Sequence, residues 1–288
     1  MTHLRYCGRD FSTDDIQTIV EIIASPSSIT RTEISRRVCN KLSWYKVDGG
    51  LKDMSCRVAL LRMEKDGLIK LPAPVNKNGN GKIKVKHTSR TDPGESIQQP
   101  VGQLGDLHIE TIKSKVDSSL WNEYIDRYHY LKYYPLPGAQ LRYFVYANEK
   151  IVSLLGFGAS AWSVLPRDRF IGWTNEQRKK NLHLIVNNAR FLILPWVESK
   201  NMASKILSSV ARRLPDDWEN KYNYRPVLLE TFVEKDRFLG TSYKASNWIY
   251  VGVTKGRGKL DTFNKAALPK KNILLLPLDK KFKKQLSE

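Results

Sequence analysis

Residues 141–162, "LRYFVYANEKIVSLLGFGASAW", read as two strands joined by a turn at Asn148-Glu149, with Gly156 and Gly158 in the second strand. Aromatic and branched aliphatic residues crowd both runs, as a pleated, half-buried surface requires. Working outward, "VDSSLWNEYIDRYHYL" (116–131) is an amphipathic helix with Leu120, Tyr124 and Tyr128 in register. On the other side, "TNEQRKKNLHLIVNN" (174–188) is a charged helix leading into Asn187-Asn188. "RFLILP" (190–195) follows as an apolar strand buried on both faces. A helix over 201–222 turns Ile206, Val210 and Leu214 inward, and "RPVLLETFV" (225–233) is the next strand. "GTSYKASNW" (240–248) is helix-like, "IYVGVT" (249–254) is the strand it packs on, and a basic tail carries "KNILLLPL" (271–278). Strands alternating with single helices define an α/β (α+β) layer structure with a mixed sheet and flanking helices.

The N-terminal part has a different rhythm. "STDDIQTIVEIIA" opens on Ser12 as N-cap with two carboxylates in the first turn, and lines up Ile16, Ile19, Val20 and Ile23. "TRTEISRRVCNKLSW" starts with the capping-box spacing Thr30-x-x-Glu33 and places Ile34, Val38 and Leu42 on one face. After Gly49-Gly50, a third helix turns Met54, Val58, Leu61 and Met63 inward and ends at Asp66-Gly67, followed by a short extended piece, "GLIKLP". Three helices then a strand is the order of a winged helix-turn-helix, whose last helix presents long polar side chains to DNA. The alternative is a small three-helix bundle with a solvated basic face. We therefore expect a winged-helix-like module over 1–87, a linker over 88–105 rich in breakers, and an α/β domain over 106–288.

Charge narrows the function. Forty-eight Lys and Arg against 29 Asp and Glu give a net charge of +19, which favours an acidic partner, nucleic acid first. Arg36, Arg37, Lys52, Arg57 and Arg62 on the helices are expected to contact phosphates. So are Lys82, Lys84 and Lys86 in the Gly/Asn/Lys-rich wing, and Lys255, Arg257 and Lys259 in the hook "KGRGK". Tyr243 and Trp248 are candidates for stacking on bases, with a core role for Trp248 as the alternative. No apolar run is long enough to span a bilayer, no signal core opens the chain, and Cys7, Cys39 and Cys56 form no framework; a reduced, cytoplasmic protein is expected.

Catalytic signatures are sparse. The P-loop, the GxSxG elbow and the GxGxxG fingerprint are all missing, and the five histidines never fall at zinc-ligand spacing, so no metal is expected. Asp168, Glu230 and Asp236 are carboxylates that long-range folding could bring together. Glu230 interrupts an apolar strand, where an unpaired carboxylate is costly, so an arginine partner such as Arg190 or Arg142 is expected. His129, in "RYHYL", is either a satisfied core or cap residue or a functional one.

Several long motifs in order carry a family resemblance. "HYL" (129–131), "LRYFV" (141–145), "RDRFIGW" (167–173), "NLHLIVNNARFLILPWV" (181–197), "LLETFV" (228–233), "GTSYKASNWIYVGVTKGRGK" (240–259) and "DMSCRVALLRMEKDGLIKLP" (53–72) are similar to the DruA family of Druantia anti-phage defence. The same domain is similar to segments attached to some bacterial transposases. The resemblance implies a bacterial defence component that acts with a large helicase and other proteins of the system. A second resemblance, in element order, is to the GNAT acyltransferase fold, whose enzymes bind the coenzyme A pyrophosphate on a glycine-rich helix start. Lys200 takes the first position of that loop, but Ala203 and Lys205 stand where glycines belong, so no cofactor is expected and coenzyme A is in question. The reading is a DNA-binding defence component. The alternatives are an acyltransferase-like or nuclease-type enzyme on nucleic acid, centred on Glu230, His129 or Asp168, or a scaffold docking an acidic protein.

Overall fold

The structure is a computed structural model and describes residues 4–25, 29–75, 85–258, 261, 263 and 265–288. It divides into two compact units, Met1–Ile83 and Lys84–Glu288.

In the first unit a short hairpin, β1 (Leu4–Tyr6) and β2 (Arg9–Phe11), turns at Cys7-Gly8, both at positive φ. Helices α1 (Thr13–Ile23), α2 (Arg31–Lys41) and α3 (Asp53–Lys65) follow. Ser12 caps α1 as expected, in a reciprocal capping box with Asp15; at α2 only half of the expected box forms, Thr30 Oγ1 accepting from the Glu33 amide while the Glu33 carboxylate pairs with Arg37. Phe11, edge-on to Trp44 at 5.6 Å, closes a core of Ile19, Ile34, Val38, Leu60 and Met63.

Two expectations are corrected in this unit. The buried face of α3 is Cys56, Ala59, Leu60 and Met63, whereas Met54 is 62 % exposed and Val58 and Leu61 also face out. Small Cys56 and Ala59 are buried, and Cys56 meets Cys39 of α2 in the core. Residues 67–72 form no strand. Ile69 and Leu71 fill the helical core instead, and the Leu71 amide bonds Glu64 Oε1 at 2.8 Å.

In the second unit the elements run β3 (His108–Thr111), α4 (Lys115–Tyr128), β4 (Gln140–Ala147), β5 (Lys150–Ala159), α5 (Leu165–Ile171) and α6 (Asn175–Asn181). Then come β6 (Ile185–Ile193), α7 (Met202–Tyr222), β7 (Leu228–Glu234), α8 (Thr241–Ala245), β8 (Ile249–Val253), β9 (Lys271–Pro277) and α9 (Phe282–Ser287). One seven-stranded sheet has the order β3-β4-β5-β6-β7-β9-β8, antiparallel throughout except for the parallel pair β6-β7. Asn148 and Glu149 both take positive φ, the geometry of a tight hairpin, so the opening stretch folds as its sequence demands. One sheet face packs on Trp121 of α4 and on Ile206, Val210, Leu214 and Trp218 of α7. The other packs on Ile171 of α5 and on Phe282 and Leu286 of α9.

Three readings shift here. β6 begins at Ile185, so Asn187 and Asn188 lie inside the strand, not before it. The "KNILLLPL" of the tail becomes β9, inserted between β7 and β8, which leaves β8 at the sheet edge. Residues 88–105 are not free: the Thr88 amide and Thr91 hydroxyl donate to Glu123, Tyr128 Oη donates to the Thr91 carbonyl at 2.7 Å, and Val101 and Leu104 are buried. Burying those groups outweighs the breaker-rich composition of the stretch.

Candidate functional site

The parallel strands β6 and β7 pair from Ile185↔Leu228 to Asn188↔Thr231 and then part. Asn188 sits at the fork, buried, and its side chain ties the fork together. Its Oδ1 accepts from Tyr243 Oη at 2.7 Å, its Nδ2 donates to the Arg190 carbonyl at 3.1 Å, and its own carbonyl accepts from Thr231 Oγ1 at 3.0 Å. A register shift at Gly156/Phe157 of β5 faces the same point, leaving Ala189 unpaired across the ladder. Beyond the fork opens a cavity of about 480 Å³ lined by His129, Tyr130, Phe191, Arg237, Phe238 and Tyr243 among others.

His129 ends α4 on this cavity wall and is buried. Its Nδ1 accepts from the Leu131 amide at 3.1 Å, which puts the proton of the neutral ring on Nε2. Burial first, then the nearby Arg190 and Arg237, push its pKa down to about 4, so the ring is neutral near pH 7. Stacked on it at 4.8 Å is Tyr130, over which the Arg237 guanidinium lies at 4.7 Å.

Glu230 and Asp168 meet elsewhere. Glu230 neighbours Thr231 along β7, so its side chain points to the opposite sheet face. There Arg167 donates through one Nη to Glu230 Oε2 at 2.8 Å and through the other to Asp168 Oδ1 at 2.8 Å. The Ala161 amide donates to Glu230 Oε1 at 2.7 Å. Asp168 also accepts from Trp173 Nε1 at 3.2 Å and from Arg178 at 3.3 Å. Burial pushes the Glu230 carboxyl up from its ordinary range, against the pull of Arg167 and of the Ala161 amide. The expected partner is thus corrected: Arg142 bonds Asn122 and Ser118, Arg190 bonds backbone carbonyls, and Arg167 holds Glu230. The carboxylate has 0 % exposure and each of its oxygens accepts a hydrogen bond. Its arrangement joins β7 to the α5 segment. Among the described residues no cluster of His, Cys, Asp and Glu could hold a metal ion.

The cations are distributed over both units. On the helices of the first unit, Arg37 pairs with Glu33 at 3.1 Å and Arg57 with Asp53 at 2.7 Å. Arg36, Lys52 and Arg62 make no ion pair among the described residues. Lys82, Lys84 and Lys259 lie outside the described residues, and Lys86 is exposed. In the hook, Lys255 and Arg257 are exposed, with Asp261 at 3.9 Å from Arg257. Gly256 between them takes φ +74° and its carbonyl accepts from the Leu268 amide at 2.9 Å; a Cβ there would lie 2.5 Å from the Leu268 carbonyl oxygen. Only glycine lets the backbone pass that close. Trp248 is 4 % exposed and packs edge-on to Tyr243 at 5.1 Å, so its ring serves the core; Tyr243 lines the cleft.

Sequence reasoning missed Arg167, Tyr130 and Arg237. The one signal available for Arg167 was the charge of Glu230 inside an apolar strand, which demanded a buried cation without saying which.

The start of α7 does not suit the pyrophosphate of coenzyme A. Ala203 and Lys205 carry side chains at the positions where close backbone approach is needed, and the loop before them is already paired. Its amides are taken: Glu198 donates to the Ile97 carbonyl at 2.8 Å, Met202 to the Ser199 carbonyl at 3.3 Å and Lys205 to the Asn201 carbonyl at 3.1 Å, where an anion needs free N–H groups.

A mixed seven-stranded α/β unit with a forked parallel pair, alongside a small helical unit, is the class of protein these features define. The chain belongs to the Druantia protein DruA family, whose family model matches residues 62–271. Membership makes it a component of a Druantia defence system. No curated protein matches the chain. Among solved structures it is similar to the ribosomal-protein-S18-alanine N-acetyltransferase from Escherichia coli (12 % identity, 60 % of this chain and 95 % of that one, TM-score 0.36). It is also similar to a GNAT-family acetyltransferase from Streptococcus pneumoniae (11 %, 60 % and 100 %, TM-score 0.39). A third similar structure is an N-acetyltransferase from Staphylococcus aureus Mu50 (13 %, 61 % and 100 %, TM-score 0.38). Likeness at this level carries nothing about activity. No helix among the described residues is long and apolar enough to cross a membrane.

Proposed function

We propose that this protein is the DNA-binding component of its defence system and works with a large helicase. The observation that carries the reading is charge without compensation: a net +19, with Arg36, Lys52, Arg62 and Lys255 unpaired among the described residues and exposed or half-exposed. A phosphate backbone supplies the missing negative charge and releases its condensed counterions on contact. In this reading Arg37 and Arg57 exchange their helix carboxylates for phosphates, and Lys82, Lys84, Lys86, Arg257 and Lys259 extend the contact. The first unit serves as a winged-helix-like DNA module and the second as the α/β body that bears the hook. Such contacts give affinity without sequence choice.

The test is an electrophoretic or anisotropy binding series with duplex, single-stranded, forked and nicked DNA at increasing salt. The reading predicts binding at about 50 mM salt that weakens steeply above it. Association with the helicase is tested by co-purification of the two proteins after nuclease treatment, which separates direct contact from tethering by DNA.

A further inference from the structure

We propose that the cleft between β6 and β7 is a nucleotide site, with the base against its aromatic wall and the phosphate on Arg237. This goes beyond the phosphate contacts proposed above, because the cleft is a pocket of the second unit whose lining includes none of the cations named there.

Size comes first. A cavity of about 480 Å³ falls in the range of small-ligand pockets. Charge comes next. The lining residues include Arg237 and the imidazole of His129, and no Asp or Glu among the described ones. Arg237 makes no ion pair among the described residues and lies over Tyr130 and Phe238, at 4.7 and 5.6 Å from the ring centres. Behind it, the half-buried Arg190 donates only to the Ala189 and Lys132 carbonyls, and its Nε is buried without a partner. Both guanidinium groups act on His129 of the cleft wall, Glu234 is the carboxylate felt by Tyr130, and a phosphate on Arg237 would give that guanidinium the ion pair it lacks among the described residues.

Planarity is the third feature. Tyr130, Phe191, Phe238 and Tyr243 line the space, and Phe238 is 42 % exposed at its mouth. Flat aromatic surface next to an arginine suits a nucleobase attached to a phosphate, because every base has a face that stacks and the sugar joins it to an anion. The walls also offer hydrogen bonds. Leu194 donates to the Val152 carbonyl on β5, so by alternation Phe191 and Ile193 turn their peptide groups away from β5 toward the fork. β7 stops pairing with β6 after Thr231, which leaves those groups available to a base edge. A purely apolar ligand would use the rings and leave Arg237 unanswered; an inorganic anion would leave the rings unused.

Base and phosphate can come from a free nucleotide or from the end of a single strand. Isothermal titration of the full chain with deoxyadenosine monophosphate, deoxyadenosine, inorganic phosphate and a short deoxyadenosine oligomer separates the sources. Titration at about 300 mM salt suppresses contacts made by exposed cations alone. The proposal predicts saturable binding of the monophosphate or the oligomer, with nucleoside and phosphate each weaker by roughly tenfold or more. A tighter oligomer assigns the site to a strand end; equal or weaker oligomer binding assigns it to the free nucleotide. Arg237→Gln and Phe238→Ala, both at exposed positions, should each lose roughly tenfold, while Lys255→Glu with Arg257→Glu changes nothing at this salt. No saturation by either ligand up to about 5 mM, nucleoside binding as tight as the monophosphate, or unchanged binding by Arg237→Gln overturns the proposal. Loss of duplex binding in the salt series with retention here would fault the proposed function and leave the cleft assignment standing.

Discussion

Arg167 and Glu230 meet at 2.8 Å with neither side chain exposed to solvent. Sixty-three residues apart in the chain, they join the segment that follows β5 to the middle of the only parallel strand pair among the described residues. Both Glu230 oxygens and both Arg167 Nη groups are hydrogen-bonded, so the pair is a satisfied buried unit.

Removing Arg167 strands the Glu230 charge, whereas removing Glu230 leaves Arg167 its bonds to Asp168 and the Ala161 carbonyl. Arg167→Met should lower folding stability by about 3–5 kcal/mol, and Glu230→Gln by less. Replacing both together with apolar residues should cost less than Arg167→Met alone, because no orphan carboxylate remains. Urea denaturation of the three variants checks this. A Glu230→Gln protein of parental stability that nonetheless loses function would instead mark the carboxylate as chemically active.

The neutral His129 ring gives a pH signature. Its folded pKa, about 4, lies below the ordinary value of 6.5, so the unfolded chain takes up the proton first as pH falls. Stability is therefore fully present above pH 6.5 and is lost between 6.5 and 4, by about 3 kcal/mol at most. The melting temperature of the parent should fall across that window more steeply than that of His129→Gln. Parallel curves would show that the ring is not held neutral.

Gly256 sets the shape of the hook. At φ +74°, with the Leu268 carbonyl where a Cβ would go, Gly256→Ala must move the backbone. It should weaken DNA binding about as much as Lys255→Glu with Arg257→Glu does, without lowering the global melting temperature by more than a few degrees. Unchanged DNA affinity in both variants would reduce the hook to an exposed hairpin tip.

Much of this architecture is legible in the residues, and the rest is hidden for identifiable reasons. Asn148-Glu149 marks its own turn, and Ser12 and Thr30 mark their helix starts, because turns and caps depend on neighbours a few residues away. The rotation of α3 is not legible in its apolar pattern, because Met54, Val58 and Leu61 are apolar yet exposed, while the small Cys56 and Ala59 are buried. β1 and β2, three residues each, are too short for alternation to show. β9 was hidden by its lysine-rich flanks, and nothing local says that it inserts between β7 and β8. The site suffers most. Glu230 announces a need for a cation, but Arg167 answers from a different element, and the cleft exists only because Asn188 and Thr231 end the pairing of two distant strands.

The phosphate contacts of the helical unit are the core of the proposed function. Arg36→Glu with Arg62→Glu tests them at two cations that have no ion pair to lose among the described residues. Both side chains are exposed, so the fold should be retained, and circular dichroism checks that.

The most direct measurement is the salt dependence of DNA affinity for the parent and for that double variant. The account predicts that the logarithm of the parent affinity falls linearly with the logarithm of salt, with a slope reflecting several phosphate contacts. The variant should bind more weakly at every salt and show a slope reduced by roughly two contacts. Absence of binding to every form of DNA at about 50 mM salt, or an affinity indifferent to salt, would contradict it.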